Sequence, residues 1–281
     1  MEALRTIFSE TFFVTLLGGS LTASTPIILA AIGENFVEVG GILNLGLEGM
    51  MLLGAFVAFV VALITKSIFL GLLSGMFIGV LLAVAFGYLV IYLKVNQIVT
   101  GLGVYIFGMG ITGLLFRILF GREFPVIQGI SVKTPIPYLS EIPYIGSIFN
   151  QHIITYISLF LLPVSWWILY KTNFGLNVRA VGEKPIAADA HGVNVYRTRF
   201  ITVILGGALA GLGGAFLSIC DLSFFVDNIT QGQGFIAIAM VMLAKWNPSK
   251  IFYGIFLFGI CQSLTFGLQI VGLNIPREFI L

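Results

Sequence analysis

Residues 68–93 read IFLGLLSGMFIGVLLAVAFGYLVIYL, without one charged side chain. A helix needs about 20 such residues to cross the hydrocarbon of a bilayer. The run is continuously apolar, whereas a strand of a membrane barrel would alternate apolar and polar. Within it Gly71, Gly75, Gly79, Ala83 and Gly87 recur at spacing four. Small residues in that register let two backbones approach closely. The stretch therefore predicts a transmembrane helix that packs through one small-residue face.

Working outward, further apolar runs occupy 11–33, 42–65, 97–120, 152–170, 200–219 and 251–273. A shorter run, 235–246 (FIAIAMVMLAKW), is a tilted, broken or re-entrant helix that must face protein rather than lipid. The stretch 34–41 (ENFVEVGG) is expected to interrupt the first two spans. The fold class is all-α, a polytopic transmembrane bundle with about eight hydrophobic segments. Gly207 with Gly211, and Gly259 with Ser263 and Gly267, repeat the small-residue spacing.

Composition agrees. Of 281 residues, 58% are hydrophobic and 9% charged, with a mean hydropathy of +1.07. A soluble domain carries about a quarter charged residues, so soluble enzyme, nucleic-acid binder and disordered chain are excluded. The net charge of +2 selects no partner. Cys220 and Cys261 stand far apart without metal-ligand spacing and read as packing residues. The N-terminus lacks the pattern of a cleaved signal.

Two polar connections matter. The first, 121–151, holds Pro125, Pro135, Pro137 and Pro143, which forbid one continuous helix. The second, 171–199, holds Lys171, Arg179, Lys184, Arg197 and Arg199 against Glu183 and Asp189. Positive short loops stay in the cytoplasm, so 171–199 is placed inside. Lys94, Lys245 and Lys250 then also lie inside, and the N-terminus outside.

Glu48 is the clearest ionisable group in a span, in GGILNLGLEGMMLLGA with Asn44 one turn earlier. Two roles are open: a group lining a solute path, or a structural carboxylate bonded to a neighbouring helix or to freed backbone amides. Asn96, Gln97, Gln231 and Gln233 are further candidates for a path, or else ordinary helix caps. No GxxxxGK[ST] phosphate loop, HExxH or GxSxG occurs, and no carboxylate pair is expected on one helical face in a span. Neither catalytic nor metal-ligating residues are nominated.

Four segments carry a resemblance: 40–55 (GGILNLGLEGMMLLGA), 95–116 (VNQIVTGLGVYIFGMGITGLLF), 179–200 (RAVGEKPIAADAHGVNVYRTRF) and 229–251 (ITQGQGFIAIAMVMLAKWNPSKI). With these the chain resembles permease subunits of ATP-binding-cassette (ABC) importers, in the superfamily serving branched-chain amino acids, simple sugars and nucleosides. The nearest branch is that of the bacterial nucleoside permeases. The resemblance implies one permease domain over 1–281 in the inner (plasma) membrane, with two inverted repeats around a central path. It implies a separate ATPase subunit that binds the ATP, a second permease, identical or homologous, and a substrate-binding lipoprotein. The chain itself needs no cofactor. Simple-sugar or branched-chain amino acid import, and a stand-alone secondary carrier, are the alternatives. The resemblance further implies that 171–199 is a cytoplasmic coupling loop, with Gly182, Glu183, Pro185, Ala188, Ala190 and Gly192 forming the element that docks on the ATPase. Family members continue through another apolar span after the segment that matches NIPREFIL (274–281), so a truncated or naturally short form is expected.

Overall fold

A computed structural model describes residues 10–123, 125–127, 133–140, 142 and 146–270. Among them are ten α-helices, in chain order α1 (Glu10–Val39), α2 (Leu47–Thr65), α3 (Ile68–Gly87), α4 (Gln97–Phe120), α5 (Ile153–Lys171), α6 (Asn173–Glu183), α7 (Pro185–Ala190), α8 (Val195–Phe216), α9 (Gln233–Leu243) and α10 (Pro248–Ile270). A π-turn prolongs α3 over Tyr88–Tyr92 and α8 over Leu217–Asp221. Six helices, α1 to α5 and α8, are long and apolar enough to cross a membrane, and α9 is a shorter apolar helix. The eighth expected segment is α10, whose side chains are described as far as Thr265.

The bundle is built around α1 and α8. Within the apolar window of α1, 78% of residues are buried, against 22% in α4. Helix α1 packs on α8, α10 and α9, while α8 also packs on α3 and α2. Backbone approach explains the glycines. A methyl group at Gly75 would lie 2.6 Å from the Ala215 side chain, and one at Gly54 would lie 2.6 Å from the Gly211 carbonyl oxygen. Gly79 meets the Gly207 carbonyl, and Gly87 meets Phe200 and Val203. The stripe of α3 read from the sequence thus packs along α8, and Gly207 and Gly211 answer it. On α10, Gly259 sits against Ser20 and Ser24, and the Ser263 hydroxyl donates to the Leu16 carbonyl at 3.1 Å, so this face covers α1. Gly267, the third residue of that set, is outside the described side chains.

The proline-rich connection has no α-helix among its described residues. A two-residue antiparallel pair joins Thr134–Pro135 to Asn150–Gln151, next to a 3-10 turn over Gly146–Phe149. Pro143 lies outside the described residues. Gln151 anchors the connection: its amide accepts from the Thr22 hydroxyl at 2.7 Å and donates to the Gly18 carbonyl at 3.1 Å, both on α1. Cys220 is buried, and among the described residues neither Cys220 nor Cys261 forms a disulfide.

Two expectations are corrected. The stretch 34–41 does not break the first span at Glu34, because α1 continues to Val39 and the interruption is confined to 40–46. Two carboxylates and two glycines in eight residues suggested an earlier stop, but Phe36 and Val37 are buried and keep the last turns packed. It follows that Glu34 and Glu38 are one turn apart on α1. A carboxylate pair does share a helical face, against the expectation that none would.

Candidate functional site

Two unwound linkers approach each other inside the bundle. The first, 40–46, joins α1 to α2. The second, 222–232, follows the π-turn of α8 and leads into α9. Its start is tied to the connection at 121–127, since the Ile127 amide donates to the Ser223 carbonyl at 2.8 Å. Non-helical backbone at membrane depth must be covered by protein or line water, and here the two linkers are fastened by carboxylates.

Glu48 stands in the first turn of α2 and is 1% exposed. Its Oε1 accepts from the Thr230 hydroxyl at 2.5 Å and from the Gly232 amide at 2.8 Å. Its Oε2 accepts from the Gly234 amide at 2.6 Å. Gly232 has φ +84°, a conformation that favours glycine. Helix α9 has no side-chain cap of its own. The Glu48 carboxylate therefore fills that place from another helix, where the helix dipole favours negative charge.

Glu34 makes the matching contact to the first linker. It is fully buried, and its Oε1 accepts from the Asn44 amide at 2.9 Å. The Asn44 side chain turns back to accept from the Gly46 amide at 3.0 Å. Gln97 at the start of α4 accepts from the Leu43 amide at 3.2 Å. Glu34 Oε2 and both side-chain polar atoms of the buried Asn35 lack hydrogen-bond partners among the described residues. Further along, Glu38 Oε2 accepts from the Trp246 indole at 2.7 Å, tying the end of α1 to the chain just beyond α9. Sequence reasoning missed Glu34 and Glu38 because 34–41 read as a break; the signal available was a pair of acids at spacing four.

The nominated residues do not converge on one cavity. Asn44, Glu48 and Gln233 are buried within the protein, with Gln233 Oε1 unpartnered among the described residues. Asn96 is the exposed cap of α4, accepting from the amides of Ile98 and Val99. Asn96 and Gln97 line a cavity of about 570 Å³ with Gly41, Lys94, Ile186 and Arg199. Gln231 lies exposed in the second linker with φ +46°.

The 171–199 connection is mostly helical. Thr172 caps α6, accepting from the Gly175 amide at 3.2 Å, and Pro185 opens α7 where its missing N–H costs nothing. Gly192 at φ +83° ends the segment. Gly182 and Glu183 belong to the end of α6 rather than to the short helix, and Gly182 packs on the Val39 carbonyl. Ala188 is 5% exposed, so it faces its own chain, while Ala190 is exposed and Ile186, not nominated from sequence, is 87% exposed. Counting alanines favoured a slim surface; the helix face that points outward was legible only from the structure.

Residues 16–277 match the family described as branched-chain amino acid transport system / permease component. The chain is 39% identical to the putative glucose ABC transporter permease protein TsgC13 of Haloferax volcanii, over 93% of this chain and 80% of that one. It is 35% identical to the guanosine ABC transporter permease protein NupQ of Bacillus subtilis, over 92% and 82%. It is also 35% identical to the nucleoside ABC transporter permease protein NupC of Lactococcus lactis subsp. cremoris, over 94% and 87%. No solved structure matches the chain significantly. A helical bundle with six apolar spans among its described residues, two carboxylate-fastened broken segments and a match over nearly its whole length is a multi-pass plasma-membrane transport subunit, and the chain belongs to the branched-chain amino acid transport system / permease component family of ABC permeases.

Proposed function

We propose that this chain is the membrane-spanning subunit of an importer for nucleosides or related ribose-containing solutes. ATP is bound and hydrolysed on a separate ATPase chain, a lipoprotein delivers the solute from outside, and a second permease, identical or homologous, completes the path. The observation that carries the reading is the meeting of the two unwound linkers at Glu48, one from each half of the chain. Discontinuous helices of this kind are where repeat-built transporters place their solute. Two of the relatives named above are nucleoside permeases, which favours that substrate class.

In this reading α7 is the coupling element and Ile186 its anchor, because a bulky apolar side chain so exposed in a short polar connection suits a protein groove. Ala188 supports α7 from beneath. The nominated amides act in a path that the two permeases form together.

The test is uptake of labelled guanosine in a transport-deficient host expressing the whole system, challenged with unlabelled nucleosides, sugars and amino acids. Competition by nucleosides supports the reading. Competition by glucose or ribose but by no nucleoside selects the simple-sugar alternative, which the glucose-permease relative favours.

A further inference from the structure

The cavity of about 570 Å³ lies where four pieces of chain meet: the first linker at Gly41–Ile42, the loop 93–96 between α3 and α4, the short helix α7, and the first turn of α8. Its size falls in the range of ligand pockets, about 300–1,000 Å³. Two cations, Lys94 and Arg199, line it, against one carboxylate, Asp189. Lys94 sits at φ +54° in the tight loop after the π-turn, so the backbone fixes where its side chain starts. Arg199 donates from Nε to the Gly40 carbonyl at 3.0 Å. Helices α4 and α8 both begin beside the cavity and add the positive ends of their dipoles. The Tyr196 ring, also in the lining, stacks on Tyr92 with centroids 5.9 Å apart, and Tyr88 lies 5.9 Å beyond.

Two exposed apolar side chains flank Lys94 in the 93–96 loop beside the cavity. Leu93 is 55% exposed and Val95 43%. A group of tyrosines over a basic pocket, with exposed aliphatic residues beside it, marks a membrane–water interface. Basic pockets between helices on the cytoplasmic side take phosphate-bearing lipid headgroups.

We propose that this cavity binds the phosphate headgroup of an anionic phospholipid from the leaflet that faces the 171–199 connection. Lys94 supplies the main charge, Tyr196 a hydroxyl, and the acyl chains leave along Leu93 and Val95. The headgroup touches both α7 and the first linker, so its occupancy couples the two. Asn96 and Gln97, two of the amides nominated for the path, also line the cavity, but headgroup binding there rests on the cations and does not depend on which solute is carried.

The assembled transporter, stripped of lipid in detergent, is titrated with phosphatidylglycerol or phosphatidylcholine, and bound lipid is counted by native mass spectrometry. Phosphatidylglycerol should bind in preference. Lys94→Gln should weaken it about fivefold, Lys94→Glu by more, and Lys94→Arg should restore it. Transport in phosphatidylcholine vesicles should rise when phosphatidylglycerol is added, and less so for Lys94→Gln. Equal binding of both lipids, or no effect of Lys94→Glu, overturns the proposal. If millimolar inorganic phosphate displaces the lipid and reproduces its effect on transport, the site is one for free phosphate and the lipid assignment fails. If Lys94→Glu loses the ATPase on co-purification while the lipid count is unchanged, the cavity is a seat for the ATPase and the proposal again fails.

Discussion

Glu48 shows how a single side chain can decide between two histories of a segment. Its three hydrogen bonds leave neither carboxylate oxygen idle, and it holds the start of α9 from the start of α2. Replacing it with Gln puts an amide donor against backbone donors. Glu48→Gln should therefore destabilise the folded protein by about 3 kcal/mol, as for other broken buried charge contacts, with lower membrane abundance and an earlier melting transition in a fluorescence-detected thermal assay. Unchanged melting with reduced uptake would mean that the carboxylate serves the solute and not the fold. The opposite outcome is expected for Asp227. Its contact with Arg117 is 3.9 Å long and both side chains are more than half exposed, so Asp227→Asn should shift stability by less than about 1 kcal/mol in the same assay.

At the level of elements, the α3–α8 seam is where the sequence was most readable. Five small residues in register predicted a close helix contact, and Gly75, Gly79 and Gly87 make it. Gly79→Val should overpack the seam by about 1–3 kcal/mol and lower the yield of folded protein in a size-exclusion profile. Gly103 on α4 is the control, because a methyl group there meets nothing within 4 Å. Gly103→Ala should leave the profile unchanged or improve it by up to about 1 kcal/mol, since alanine favours helix. Element boundaries were less readable. The acids at 34 and 38 looked like a loop because polarity was read without depth, whereas in the bundle they face the unwound linker and Trp246. The six nominated path residues were found by polarity alone, which does not distinguish a buried clamp such as Glu48 from an exposed cap such as Asn96. For α7, proline at the start and glycine at the end were legible, but the outward side chain was not. Ile186→Asp should abolish co-purification with the ATPase while membrane insertion stays normal; retained co-purification would remove α7 from the coupling role. Ala188→Trp is a poorer test, since Ala188 is buried against its own chain.

For the whole molecule, the arrangement is a central pair, α1 and α8, with the broken segments beside it and α3 to α5 outside. Each linker is fastened to another part of the bundle by a carboxylate, Glu34 for the first and Glu48 for the second, and Glu48 sits only two residues beyond the first linker. A displacement of the first linker therefore reaches the second through one residue. The double variant Glu34→Gln with Glu48→Gln should cost less than the sum of the two single changes, measured by the same thermal assay, because the two carboxylates act in series. Additive costs would show two independent clamps.

The shortness of α9 has a consequence for how the protein is made. Eleven residues at 1.5 Å each give a rod of about 16 Å, half the thickness of the hydrocarbon layer. As the chain leaves the ribosome, such a segment does not partition into lipid by itself. It must wait at the insertion machinery until α10 has been synthesised, and then enter together with it as a hairpin. Nascent chains arrested just after Trp246 should therefore leave α9 extractable by alkali, and chains arrested after α10 should not.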